Sequence, residues 1–358
     1  MIRKRIASLS LVLVAALALS ACSTGNTKPA PTPQPADQTQ AQTQPAAKKG
    51  PYRIGVSNVS VGNPWRVQLM EEFREAARNH PDKIKEVIIT DAGGDANKQI
   101  NDIEDLIAQK VDALVVTPAS PTALVPVLEE AAKTMPVILF STDANTDKAA
   151  VRVMPSYAQW AKLTADWLAK ATGGKGNIIA LRGISGLSAE ADEWKAFDDM
   201  LKANKDMKLI CTEFADWDYA KAKTAILNCL ANNPKIDGIA SLGDGMTWAA
   251  AEVLKSKGYD VAKIPMVGIG GSNGFMKLWQ AEKLNAMVVA DPTSISYSAI
   301  MAAVDVLDGK SPAKAQAPET TVITSDVLSK FVKPGLPDNY FAGTKLSDTS
   351  LQKIHGSK

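Results

Sequence analysis

The residues of this chain with the clearest chemical potential lie in a glycine-rich stretch, Gly268 to Gly274 (GIGGSNG), between an apolar run and a helical pattern. Glycines that bare backbone amides at a helix start are one way to hold a phosphate. Gly268, Gly270 and Gly274, with Asp291 closing the next apolar run, imitate a dinucleotide fingerprint. The third glycine falls one place late, however, with Asn273 in its position. The glycines therefore read as letting the backbone approach a ligand closely, while Asn273 caps the next helix or reaches a hydroxyl. Two acid clusters, Glu190 with Asp192 and Glu193, and Asp216 with Asp218, could supply a catalytic pair, yet both also suit helix starts. No nucleophile, base and oxyanion set accompanies them. His80 and His355 are too far apart and too isolated to suggest a metal site. What remains is stacking and hydrogen bonding: Trp65 and Trp217 offer flat apolar faces, and Asn63, Arg66, Asp143 and Asp244 offer hydrogen-bonding side chains. Together they suit a ligand that offers both apolar faces and hydrogen-bonding groups.

These residues need elements to hold them. Beyond Pro51, short apolar runs alternate with helical stretches such as Trp65 to Asn79, Lys98 to Gln109, Thr122 to Lys133 and Gln159 to Ala171. Four runs, starting at Tyr52, Glu86, Asp112 and Pro136, precede Met154; five more start at Asn177, Lys208, Gly238, Pro265 and Asn285. Strands that are apolar throughout and separated by helices predict parallel sheets covered on both faces. The fold class expected is α/β, with two doubly wound lobes. Ligands in such sheets bind beyond the carboxyl ends of the strands, which directs attention to the loops there. These carry Asn63 as a helix cap before Pro64, then Trp65 and Arg66, followed by Thr117, Ser141 and Asp143, Glu190 and Glu193, Trp217, Asp244, Asn273 and Asp291. Trp65 and Trp217 could instead be core residues, and Arg66 could pair with Glu190 or Glu193 across a closed cleft. Trp160, Trp167, Trp194, Trp248 and Trp279 lie further into helices, where packing is the expected role.

The amino terminus sets the compartment. Arg3, Lys4 and Arg5, then the apolar segment Ile6 to Ala18, have the layout of an export signal over residues 1–21. Leu19-Ser-Ala-Cys22 resembles a bacterial lipobox, so Cys22 is expected to carry a lipid anchor. Residues 22–50 are rich in Ser, Thr, Pro, Gln, Ala and Lys, and are expected to form a disordered tether. The full chain has 40 basic and 38 acidic residues, and removing the three basic signal residues leaves 37 against 38. Near-neutrality gives no reason to expect a nucleic-acid partner. Cys211 and Cys229 are either a disulfide, permitted outside the cytoplasm, or two separately buried thiols.

The order and spacing of Asn63-Pro-Trp, Gln99 to Val111 leading into Asp112-Ala-Leu-Val-Val, Ser120-Pro-Thr-Ala-Leu, Gly183-Ile-Ser-Gly-Leu-Ser with Phe197, Ala215-Asp-Trp-Asp and Gly243-Asp-Gly resemble a bacterial ABC-transporter solute-binding lipoprotein of the ribose-binding type, a type I periplasmic binding protein. The resemblance runs from about Tyr52 to Lys333. It implies a three-segment hinge near Met154, Asp291 and Glu319. Lobe 1 would comprise residues 51–154 and 292–319, lobe 2 residues 155–291 and 320–340, and residues 341–358 a C-terminal tail. It implies no enzyme activity and no cofactor. The expected partners are a small sugar or polyol, a membrane permease and, through the lipid anchor, a bilayer, with the protein acting as a monomer. The alternatives are a sugar-modifying or nicotinamide-dependent enzyme on the same scaffold, or a sensor or quorum-signal binding protein. The chain departs from the ribose pattern at the ligand residues. Ser141-Thr142-Asp143 replaces an Asp-Arg pair, Ser188 to Trp194 is acidic where relatives carry arginine, and Arg66 stands where a second aromatic is common. A neutral or weakly cationic sugar or polyol is expected, and phosphorylated sugars are disfavoured.

Overall fold

A strand that is apolar on both faces can be buried only under helices on both sides, and the chain follows that rule twice. In a computed structural model the described residues, 50–355, form two α/β lobes. The expected signal peptide, Cys22 and all of the expected tether except Gly50 lie outside the described residues. The first lobe contains β1 (Tyr52–Asn58), α1 (Pro64–Asn79), β2 (Ile84–Asp91), α2 (Ala96–Ala108), β3 (Ala113–Val116), α3 (Val125–Ala131), β4 (Val137–Phe140) and β5 (Val151–Val153). The second contains α4 (Tyr157–Ala171), β6 (Lys175–Arg182), α5 (Ser188–Ala203), β7 (Asp206–Phe214), α6 (Tyr219–Asn232), β8 (Gly238–Ser241), α7 (Asp244–Ser256), β9 (Met266–Gly270), α8 (Asn273–Glu282) and β10 (Ala286–Ala290). The chain then returns with α9 (Ile295–Leu307) and β11 (Ala315–Gln316), adds β12 (Thr321–Ile323), and ends in α10 (Asp348–His355).

The strand orders are β11-β5-β4-β3-β1-β2 and β12-β10-β9-β8-β6-β7, so five consecutive strands follow the same winding in each sheet. All pairings are parallel except β10 with β12. The central strands β3, β4, β8, β9 and β10 are buried at every residue, whereas the edge strands β2 and β7 are half exposed. In lobe 1, Phe73 of α1 meets Phe140 of β4 edge to face at 5.3 Å on one side of the sheet. Leu106, Leu114 and Leu128 fill another cluster. Lobe 2 has one large core around Trp160, Phe197, Phe275 and Trp279.

The chain passes between the sheets after β5, after β10 and between β11 and β12, close to the positions expected for the hinge. The stretch from residue 341 onward, expected as a tail, is docked instead. Phe341, Ala342, Leu346 and Leu351 are buried, and α10 lies on α1 of lobe 1. The strands β5, β11 and β12, of two or three residues each, are an addition to the nine apolar runs.

Cys211 on β7 and Cys229 on α6 are joined by a disulfide with Cα atoms 5.7 Å apart, fastening the exposed edge of lobe 2 to the helix that covers it. With the cysteines 18 positions apart in sequence, replacing Cys229 with Ala is expected to cost about 3 kcal/mol and to lower the thermal midpoint by several degrees. An unchanged midpoint in calorimetry would remove this bond from the forces that stabilise lobe 2.

Candidate functional site

The loops beyond the carboxyl ends of the two sheets face each other, as expected for doubly wound folds, and enclose a cavity of about 140 Å³. Lobe 1 contributes Asn63, Trp65, Arg66, Ser141 and Thr142; lobe 2 contributes Glu193, Trp217, Tyr219, Asp244, Trp248 and Ser272. Tyr157 and Asp291 line it from the interlobe connections, and Asp338, Asn339 and Phe341 from the C-terminal segment.

The α1 start is built by its cap. Asn63 Oδ1 accepts the Arg66 amide at 2.9 Å and Pro64 occupies the first helical position. This fixes Trp65, whose Nε1 donates to the Asp291 carbonyl at 2.9 Å. Arg66 lies buried with its guanidinium 5.1 Å from the Trp65 ring centroid and Nη1 3.5 Å from Asn58 Oδ1. Among the described residues it forms an ion pair with neither Glu190 nor Glu193. Burial pulls the Arg66 pKa down, against the attraction of the Tyr157 and Asp291 side chains.

Across the cleft, Trp217 follows Asp216, and both take positive φ (+53° and +55°), uncommon for residues with a Cβ. The indole lies so close to two strand ends that a Cβ on Gly183 would stand 2.2 Å from its Cζ2 and one on Gly243 2.7 Å from its Cδ1. Its Nε1 donates to the Leu242 carbonyl at 3.0 Å. Tyr219 and Trp248 stack beside it, centroids 4.6 Å apart.

The glycine-rich loop is already occupied, by one of the protein's own carboxyl groups. Asp244 Oδ2 accepts from the amides of Gly271 (2.8 Å) and Ser272 (2.5 Å) and from Ser272 Oγ (2.8 Å). A Cβ on Gly270 would stand 2.0 Å from Asp244 Oδ1. The next two amides, of Asn273 and Gly274, donate to the carbonyls of Tyr340 and Asp338. The loop therefore has no amides left to cradle a phosphate.

Of the expected ligand residues, Asn63, Trp65, Arg66, Ser141, Glu193, Trp217, Asp244 and Asp291 line the cavity, and four do not. Thr117 is buried beneath the rim, with Oγ1 3.0 Å from Thr142 Oγ1. Asp143 pairs with Arg152 at 3.0 Å, and its amide donates across the cleft to Ser188 Oγ at 3.1 Å. Glu190 pairs with Arg182 at 2.7 Å. Asn273 is taken up by the C-terminal segment, donating to the carbonyls of Lys333, Leu336 and Pro337 and accepting from the Lys333 amide. Trp248, expected to pack, lines the cavity. Tyr157 and Tyr219 were missed although each begins a helix just after a crossing or a strand, the same signal that marks Trp65. Phe341 had no such signal.

Among the described residues, three buried side-chain atoms lack any hydrogen-bond partner: Glu193 Oε2, Asp291 Oδ1 and Asn58 Nδ2. The first two belong to cavity-lining residues and the third to the partner of Arg66, so the unmet polar groups converge here. Burial pushes the Glu193 carboxyl well above its usual range, and Asp291, Glu190 and Asp192 add to the rise. Asp291 is pushed up to about 7 by burial, with Arg66 opposing and Asp244 reinforcing the rise.

The periplasmic binding protein domain matches residues 54–311. The chain belongs to this family. The ribose import binding protein RbsB of Bacillus subtilis (strain 168) is 30% identical over 266 residues, 74% of this chain and 85% of that protein. The galactofuranose-binding protein YtfQ of Escherichia coli (strain K12) is 25% identical over 293 residues, 79% and 91% of the two chains. An ABC transporter solute binding protein from Thermobispora bispora DSM 43833 has a similar solved structure, with a TM-score of 0.76 at 26% identity, covering 84% of this chain and 94% of that one. These members of the family are binding proteins.

The raised carboxyls predict a pH dependence. An unfolded aspartate ionises near pH 4, whereas Asp291 in the folded, ligand-free protein keeps its proton up to about 7. Between those values the unfolded chain binds fewer protons, so stability falls as pH rises from about 4 to about 7. Asp291→Asn is expected to make that fall shallower in thermal unfolding. An equally steep fall would mean that Asp291 is already ionised in the free protein.

Proposed function

We propose that this protein is an extracytoplasmic solute-binding lipoprotein of an ABC importer, capturing a small sugar or sugar-like polyol between its lobes and presenting it to a membrane permease. The observation that carries the reading is the pair of partnerless carboxyl oxygens, Glu193 Oε2 and Asp291 Oδ1, at a cavity walled by Trp65, Trp217, Trp248 and Phe341. A buried polar group without a partner costs free energy. Ligand hydroxyls supply the donors, while the C–H faces of a ring or extended polyol lie against the indoles. Arg66 supplies donors to the ligand's oxygens.

A phosphorylated sugar or a dinucleotide fits poorly, because the amides of residues 271–274 are all engaged within the protein. The same occupancy counts against a nicotinamide-dependent enzyme. The ligand roles of Trp65, Arg66, Glu193, Trp217 and Asp291 belong to this proposal, as does anchoring through a lipid on Cys22.

A thermal-shift panel of pentoses, hexoses, polyols, amino sugars, nucleosides and sugar phosphates tests the reading. A member with Kd of about 1 μM, present at 1,000 times that concentration, is expected to stabilise the protein by about 4 kcal/mol. Trp217→Ala should abolish most of that shift. A response to sugar phosphates or dinucleotides alone, or turnover of a responding sugar, would overturn the proposal. For the anchor, Cys22→Ala is expected to move the mature protein from the membrane fraction to the soluble one, and continued membrane association would count against lipidation.

A further inference from the structure

The C-terminal segment carries a feature that the family match, ending at residue 311, does not cover. Helix α1 presents Gln68, Glu72 and Glu75 on one face, and all three are buried. At spacings of four and three residues they form a polar track where a helix normally turns apolar side chains inward. Thr293 Oγ1 bridges Gln68 and Glu72, and Arg78 pairs with Glu75; the other partners of that track come from the chain end. Gln68 donates to the Phe341 carbonyl at 2.9 Å and accepts its amide at 3.0 Å. Glu72 accepts from Thr344 Oγ1 (2.6 Å) and the Lys345 amide (3.0 Å), and Glu75 from the Ser347 amide (2.8 Å) and Ser350 Oγ (2.7 Å).

The same segment is fastened to lobe 2 immediately upstream. The carbonyls of Asp338 and Tyr340 accept from Gly274 and Asn273, and the Ala342 amide donates to the Gly271 carbonyl at 2.9 Å. Gly343 then takes φ +77° and turns the chain past Pro292 toward lobe 1. Two consecutive residues, Phe341 and Ala342, are thus bonded to opposite lobes.

We propose that residues 338–350 are a fourth interlobe connection and a working part of the ligand site, with Phe341 as a specificity-determining wall and Gln68 as the positioning residue that ties it to α1. The attachment points explain why this arrangement acts on ligand. Gln68 lies two residues beyond Arg66 in α1, and Gly271 is one of the two amides that hold Asp244. The strap therefore links the groups that face the ligand from both lobes, and it limits how far they separate when the cleft is empty. Three crossings serve as a hinge; the fourth is anchored through side chains and sets the hinge's range.

The inference rests on the binding-protein reading for its ligand arm, but its main readout needs no ligand. Spin labels at Asn97→Cys in lobe 1 and Lys195→Cys in lobe 2, both exposed, would be placed in the full chain, with Cys22 replaced by Ser so that only the introduced thiols react. Dipolar distances are then measured in the ligand-free protein and with the sugar or polyol giving the largest thermal shift. Gln68→Leu is expected to lengthen and broaden the ligand-free distance, leave the ligand-bound distance unchanged, and weaken binding at least tenfold. Phe341→Ala, which keeps the backbone bonds, is expected to weaken binding to a similar degree without changing the ligand-free distance. If Gln68→Leu does not fold, Thr344→Val, which removes the hydroxyl's bonds to Glu72 and to the Leu346 amide, carries the same comparison. A ligand-free distance distribution identical to that of the unmodified strap in whichever variant folds would overturn the tie. Undiminished affinity in Phe341→Ala would overturn the wall. Failure of every compound in the panel would count against the sugar reading while leaving the distance measurement decisive for the strap.

Discussion

Once water is excluded, a carboxylate must be given donors or give up its charge, and the architecture around the cleft is organised by how that requirement is met. Asp244 begins α7 directly beyond β8, and its Oδ2 is met by two amides and a hydroxyl from the loop beyond β9. That clamp explains why the loop is rich in glycine, because a side chain at residue 270 would collide with the carboxylate. It also holds residues 271–274 in the conformation that receives the C-terminal segment. One carboxylate thus aligns two strand ends of lobe 2 and, through the strap, the first turns of α1 in lobe 1. The tolerance for movement is small: hydrogen bonds to a charged group are short and directional.

Burial raises the Asp244 pKa too, against the pull of these donors, whereas Glu193 and Asp291 lack such a donor set. Neither has a full set of partners, and both respond by holding their protons to higher pH. The contrast with Glu190 is instructive, since it lies three residues from Glu193 on the same helix and is equally buried, yet it is paired with Arg182. Arg182 is itself held between the rings of Trp194 and Phe214. Of two neighbouring acids, the one facing the lobe surface is neutralised by the protein and the one facing the cleft is left unmatched.

The alternation of apolar runs and helices was legible because it follows from burial on both sheet faces, and it located all nine of the longer strands. Strands β5, β11 and β12 were not legible, since two or three residues cannot establish a period and these segments are extended because they pair at the crossings. The rule that ligand groups follow strand ends selected residues that line the cavity, among them Trp65, Arg66, Glu193, Trp217 and Asp291, and also Thr117, Asp143, Glu190 and Asn273, which do not line it. Which way such a side chain turns depends on a partner distant in sequence: Thr142, Arg152, Arg182 or the 333–337 backbone. The glycine-rich stretch was expected to let the backbone approach a ligand; the group that approaches it is Asp244 of the protein itself. The strap was illegible for a stronger reason. Gln68, Glu72 and Glu75 at helical spacing read as a solvated face, and only docking of the chain end turns that face inward.

The unmatched carboxyls also bear on how closure depends on ligand. In the conformation described here the lobes touch beyond the hinge, through the Asp143 amide and Ser188 Oγ and through the strap. Without a ligand, that closed arrangement keeps Glu193 Oε2 and Asp291 Oδ1 from water and leaves them unsatisfied. Opening would rehydrate them, so the cost of those groups disfavours the closed empty arrangement relative to an open one. A ligand with donors at the right positions removes that cost only when the lobes are closed around it, and this differential is what allows binding to shift the population. A core of apolar residues at the same positions would close without ligand. The imperfect electrostatics of Glu193 and Asp291 therefore make closure conditional on the ligand.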